Sequence, residues 1–188
     1  IYFHDDKGIF VNLFIASKVR WPEKGIELEQ VTRFPEEEGT TLIWHLPQPT
    51  GLSLDVHIPY WAARGVQVKV NGKVVPAQAK PTSYLKLKRK WKDGDRVEIR
   101  MPMSLHLAPM PDDPELAAIM YGPLVLAGLT EPEQPREPDF AGSNPMDKVS
   151  PSQAQEIVFL GDTHNLPSWI KPVPDRPLTF RTVGQPTD

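Results

Sequence analysis

A side-chain alternation with a period of two recurs along the first hundred residues, and it restricts this chain to strands. Leu52, Leu54, Val56 and Ile58 point one way, while Ser53, Asp55 and His57 point the other. Val66, Val68 and Val70 alternate with Gln67 and Lys69, and Leu85 and Leu87 with Lys86 and Lys88. Val97, Ile99, Met101 and Met103 face inward between Arg96, Glu98 and Arg100. This is the pattern of antiparallel strands with one covered face and one solvated face. No segment keeps the apolar stripe of a helix over three turns.

Turn chemistry divides the strands. Asn71-Gly72 predicts a type I′ hairpin, which needs positive φ at both central residues. Asp5-Asp6-Lys7-Gly8 links Ile1–His4 to Ile9–Ser17, Glu38-Gly39 precedes Thr40–Leu46, and Asp93-Gly94-Asp95 opens Arg96–Met101. The expected fold is all-β, an antiparallel β-sandwich over residues 1–106 followed by a smaller, partly irregular β domain over 107–188. The chain has 22 prolines in 188 residues, more than twice the usual share. Leu107–Pro114 carries Pro109, Pro111 and Pro114, marks the boundary, and is expected not to continue a ladder. A long proline-rich loop is expected at about 130–153. Strand candidates in this half are Ala117–Leu129, Glu156–Leu160, Trp169–Lys171 and Leu178–Val183.

Two segments, Ile9–Ile15 and Ala117–Leu129, are apolar on both faces and so must be covered on both. The cover is either the chain's own second sheet or loop, or a neighbouring domain. Under the second reading Phe10 and Phe14, taken to share one face, are candidate domain-interface residues.

The chemistry is sparse. With no cysteine, disulfides, thiolate metal sites and cysteine nucleophiles are excluded. The histidines at 4, 45, 57, 106 and 164 show no ligand spacing, so no metal or cofactor is expected. Asp112, Asp113 and Glu115 sit in the proline-rich connector, Glu36–Glu38 in a turn, and Asp55 and Glu98 at outward strand positions. None forms the carboxylate pair of a glycosidase cleft, and no catalytic residue is assigned. A net charge of −3 argues against nucleic acid, and the basic edge Lys86–Lys92 reads as a solvated strand that deters edge pairing. No apolar run reaches the ~20 residues of a membrane-spanning helix. Five tryptophans remain. Trp44 is in phase with Leu42 and Leu46 and belongs to the core. Tyr60, Trp61 and Trp91 lie at strand ends, where their rings are candidates for stacking on a plant-type glycan. Burial is the competing fate, and in-phase Ile58 favours it for Tyr60-Trp61 as a plug at the strand end.

Three motifs taken together carry a resemblance. They are Ile58-Pro59-Tyr60-Trp61-Ala62 with Val68–Gly72, then Trp91–Val97 with Met101-Pro102-Met103, then Tyr121–Gly128. In that order they resemble the C-terminal β region of the β-L-arabinofuranosidase-like glycoside hydrolases. Ile1–Ile15 is similar to the segment that follows the family's catalytic (α/α)6 barrel. The resemblance implies that catalysis, with its cysteine nucleophile and zinc, belongs to that barrel and not to these residues. It implies a piece of a longer protein, non-catalytic, with the barrel of the same parent as its partner. The chain departs from the pattern at His57, where the resemblance implies arginine.

Overall fold

The computed structural model describes residues 1–76, 79–128, 159 and 161–184. The expected proline-rich loop lies outside these residues, as does the expected strand Glu156–Leu160 apart from Phe159.

Ten strands build the sandwich. They are β1 (Tyr2–Asp5), β2 (Gly8–Val11), β3 (Ser17–Trp21), β4 (Ile26–Val31), β5 (Gly39–His45), β6 (Thr50–Ile58), β7 (Gln67–Val70), β8 (Lys73–Val75), β9 (Ser83–Trp91) and β10 (Arg96–Arg100). One sheet has the order β1-β2-β6-β9 and the other β3-β4-β5-β10-β7-β8. Ile9, Val11, Leu54, Val56 and Leu85 fill the space from the first sheet, and Leu28, Leu42, Val68, Val97 and Ile99 from the second. Trp44 on β5 and Trp91 at the end of β9 stack between the sheets, with centroids 5.2 Å apart.

The turns follow the local chemistry. Asn71 and Gly72 have φ of 50° and 75°, as a type I′ turn requires. The Asn71 amide also ties the β7–β8 turn to its neighbour, donating to Asp95 Oδ1 at 2.8 Å and accepting from Arg96 N at 2.8 Å. Asp5 Oδ1 accepts from the Lys7 and Gly8 amides and closes the β1–β2 turn. Those amides favour the charged form and hold the Asp5 carboxyl below its usual pKa.

Two strand expectations need correction, and one strand pair is absent from the sequence reading. Ile9–Ser17 is not one strand: β2 ends at Val11, and the chain then crosses to the second sheet as β3. The pair β3–β4 is masked in the sequence because buried Gln30 occupies an inward, normally apolar position. Gln30 is satisfied there by the Tyr2 hydroxyl at 2.8 Å and by Thr40 Oγ1 at 3.0 Å. The Leu107–Pro114 segment does enter a ladder: β11 (Leu105–Pro109) pairs antiparallel with β12 (Ala117–Tyr121). Pro109 is tolerated because β11 is an edge strand of its sheet.

Beyond the sandwich, β12 also pairs with β13 (Leu124–Val125), and a four-residue helix, α1 (Leu166–Trp169), leads into β14 (Ile170–Pro172) and β15 (Phe180–Thr182). Leu166, Trp169 and Ile170 form a second apolar cluster with Leu105, Leu107 and Ile119 around them. The apolar residues Tyr121 and Leu178 pack instead on the sandwich core and seat this unit against it.

Candidate interaction surfaces

The outward faces of the two sheets differ in chemistry. Along β3, β4 and β5 the outer face is a ladder of charge. Lys18 Nζ lies 3.2 Å from Glu27 and 3.5 Å from Glu29, Arg20 Nε donates to Glu27 at 2.8 Å, and His45 Nε2 pairs with Glu29 at 2.9 Å. The hydrogen bond from Arg20 holds the Glu27 carboxyl below its ordinary pKa, and the bond from His45 does the same for Glu29. Such a face is well solvated.

The outer face of the four-stranded sheet carries an aromatic patch at one end, beside the exposed Lys86, Lys88 and Lys90 of β9. Register places Phe3, Phe10, Asp55 and Lys86 in one row across the strands, and His57 opposite Tyr84 in the next. The Tyr84 ring meets Phe10 edge-on at 5.7 Å and His57 at 5.5 Å, and its hydroxyl donates to Asn12. Phe3 is 69% exposed and Tyr84 43%. Leu13 and Ile15, in the crossing that follows β2, are exposed as well.

Asp55 sits inside this face and was expected to be solvated. It is only 1% exposed. β6 is a central strand, flanked by β2 and β9, and Phe10 and Lys86 occupy the positions on either side of the carboxylate. Ser53 donates to Oδ2, and Lys86 Nζ lies 3.0 Å from Oδ1 without hydrogen-bond alignment. β2 and β6 approach closely: a Cβ on Gly8 would stand 2.2 Å from the Ser53 carbonyl oxygen. The sequence signal for this residue was its place between Leu54 and Val56, which mimics an outward position.

The other candidates are distributed unevenly. Trp61 is 6% exposed, its ring stacked on Phe34 at 5.8 Å with 13° between planes. Trp91 is fully buried, with its indole N–H on the Leu52 carbonyl at 3.1 Å. Neither ring offers a face to a ligand. Tyr60 points away from its neighbour at 58% exposure, so the plug at this strand end is Trp61 alone. The Tyr60 ring meets His106 edge-on at 5.8 Å. Phe10 and Phe14 do not share a face: Phe10 is half-buried on the outer sheet surface, and Phe14 is in the core against Phe34 at 5.6 Å. They part because β2 ends at Val11, between them. Among the described residues no group of three or more His, Asp or Glu converges as a metal site. With no cysteine either, the residues do not fit the zinc–thiolate chemistry of the resembled barrel.

Comparison with known proteins agrees with this geometry. The model of the "Beta-L-arabinofuranosidase, GH127 middle domain" family matches residues 8–103, just over half of the chain and nearly the whole sandwich. The chain belongs to the GH127 β-L-arabinofuranosidase family. Its sandwich is the GH127 middle domain. Among solved structures, a glycoside hydrolase is 30% identical with a TM-score of 0.59, covering 66% of this chain and 22% of its own. Ara127N, a GH127 β-L-arabinofuranosidase from Geobacillus stearothermophilus T6, is 25% identical with a TM-score of 0.59, covering 66% of this chain and 21% of its own. A further GH127 β-arabinofuranosidase is 27% identical with a TM-score of 0.56, over 66% of this chain and 23% of its own. No curated protein sequence matches. The chain thus spans about a fifth of the length of these solved structures.

Proposed function

We propose that this chain is a non-catalytic supporting region of a GH127-type glycoside hydrolase, and that its four-stranded sheet packs against the catalytic domain of the same parent. The contrast between the two outer faces carries the reading. A face bound for water is lined with paired charge, as on β3–β5, whereas Phe3, Phe10 and Tyr84 form a contiguous aromatic patch. Buried Asp55 holds Lys86 beside that patch, with Nζ 3.0 Å from its carboxylate. The division near residue 106 belongs to the same reading, supported by the two separate apolar clusters.

The carboxylates support the absence of catalysis. Among the described residues, Glu27 and Glu29 are ion-paired, Asp5 closes a turn, Asp93 accepts the Leu46 amide and Asp95 the Lys92 amide. A glycosidase instead needs an acid with a raised pKa facing a second carboxylate. The docking test is hydroxyl-radical footprinting of Phe3 and Tyr84 in the isolated chain and in the full-length parent. Strong protection in the parent is expected. Equal labelling in both would refute the docking, and turnover of aryl arabinofuranosides by the purified chain would refute the non-catalytic assignment.

A further inference from the structure

Between the sandwich and the β14–β15 ribbon lies a cleft of about 720 Å3, within the usual size range of small-molecule sites. The docking face of the first sheet does not contribute to it. Glu38, just before β5, is fixed at one wall. Its Oε1 accepts from the Met103 amide at 3.0 Å and the Tyr121 hydroxyl at 3.3 Å, and its Oε2 meets Arg100 at 3.2 Å. Phe180 lines the cleft beside it, its ring packed on that of Tyr121 with centroids 5.0 Å apart. Burial, and then the Glu38 carboxylate, push the Tyr121 phenol pKa up, so it remains a protonated donor.

The charges lining the cleft balance. Glu36, Glu38 and Asp175 face Arg64, Lys171 and Arg176. Among the described residues, Arg64, Arg176, Glu36 and Asp175 form no ion pair. All four are exposed, and among the described residues their donors and acceptors are open to water or to a ligand. A charge-balanced lining of planar polar groups disfavours an anion or a cation. It suits a neutral molecule bearing many hydroxyls, each able both to donate and to accept. The half-buried Phe180 and Tyr121 rings and the Leu105 side chain provide the apolar surface against which the C–H face of a sugar ring packs.

We propose that this cleft binds a neutral carbohydrate, a short oligosaccharide held by Glu38, Arg64, Tyr121 and Arg176 against Phe180. The site differs from the strand-end aromatics, of which Trp61 and Trp91 are buried. It also stands independently of the docking face, because the two share no residue.

The test is an NMR titration of the whole purified chain with the trisaccharides of arabinose, xylose and glucose, and with trigalacturonate as an acidic control. At least one neutral trisaccharide should give saturable shifts clustered at residues 36–38, 64, 103–105 and 171–180. Phe180→Ala should weaken that binding by roughly tenfold, the size of one lost aromatic face. Phe180 also packs on the second apolar cluster, so Arg64→Gln serves as the paired variant. It should weaken binding similarly while leaving the cooperative thermal transition in place. The proposal is overturned if no neutral trisaccharide shifts these residues at millimolar concentration. It is equally overturned if trigalacturonate binds tightest, or if Arg64→Gln binds as well as the parent chain.

Discussion

Replacing Trp61 by alanine tests the packing argument most sharply, because its sequence neighbour supplies the control. The indole is 6% exposed and stacked on Phe34, which in turn meets Phe14 edge-on. A buried aromatic side chain removes roughly 150–250 Å2 from water, and at ~25 cal/mol per Å2 this is worth about 4–6 kcal/mol. Alanine retains part of that area, and a strand-end site collapses more readily than the centre of a core. The expected loss is therefore about 3–5 kcal/mol. Tyr60→Ala removes a ring that is 58% exposed and meets only the edge of His106, so it should cost less than about 1 kcal/mol. Equilibrium urea unfolding followed by far-UV circular dichroism reads both. Trp61→Ala should lower the midpoint by roughly 1–2 M with an unchanged slope, and Tyr60→Ala should leave it nearly in place. Equal losses in the two variants, or a Trp61→Ala loss below about 1 kcal/mol, would refute the assignment of Trp61 as the plug.

Gly8→Ala should destabilise by about 1–3 kcal/mol or more, because the added Cβ meets backbone at the parallel β2–β6 contact. Gly51→Ala, with open space around the new Cβ, is the control in the same urea measurement. Gly72→Ala should cost about 1–2 kcal/mol from its positive φ alone, since no atom lies within 4 Å of the added methyl. Glu27 and Glu29 have folded pKa values below their unfolded ones. Their contribution to stability is therefore present above the ordinary glutamate value of about 4.3 and lost as pH falls through the lower folded values. Glu29→Gln should accordingly flatten the loss of thermal stability in acid below that point. An unchanged acid slope would show that the His45 pair contributes nothing.

The sequence by itself determined the strands that alternate cleanly and the turns that need special backbone. β6, β7, β9 and β10 were legible because each interleaves apolar and polar residues with a period of two, broken in β9 at Arg89. Asn71-Gly72 was legible because few residue pairs tolerate positive φ at both positions. The lack of cysteine removed thiolate chemistry without any structure. Tertiary structure decided what alternation cannot express. A period of two tells which residues share a face, but not whether that face meets water. Asp55 occupies an outward phase and is nonetheless buried, because β2 joins β6 in parallel after a long excursion through the other sheet. The same crossing sent Phe14 into the core while Phe10 stayed on the outer surface. Tyr60 and Trp61 had one signature between them. Only the packing of Phe34, 27 positions before Trp61, chose which ring would be covered. The cleft at Glu38 brings together five stretches of chain, around residues 36–38, 64, 103–105, 121 and 167–180, so no local pattern could have announced it.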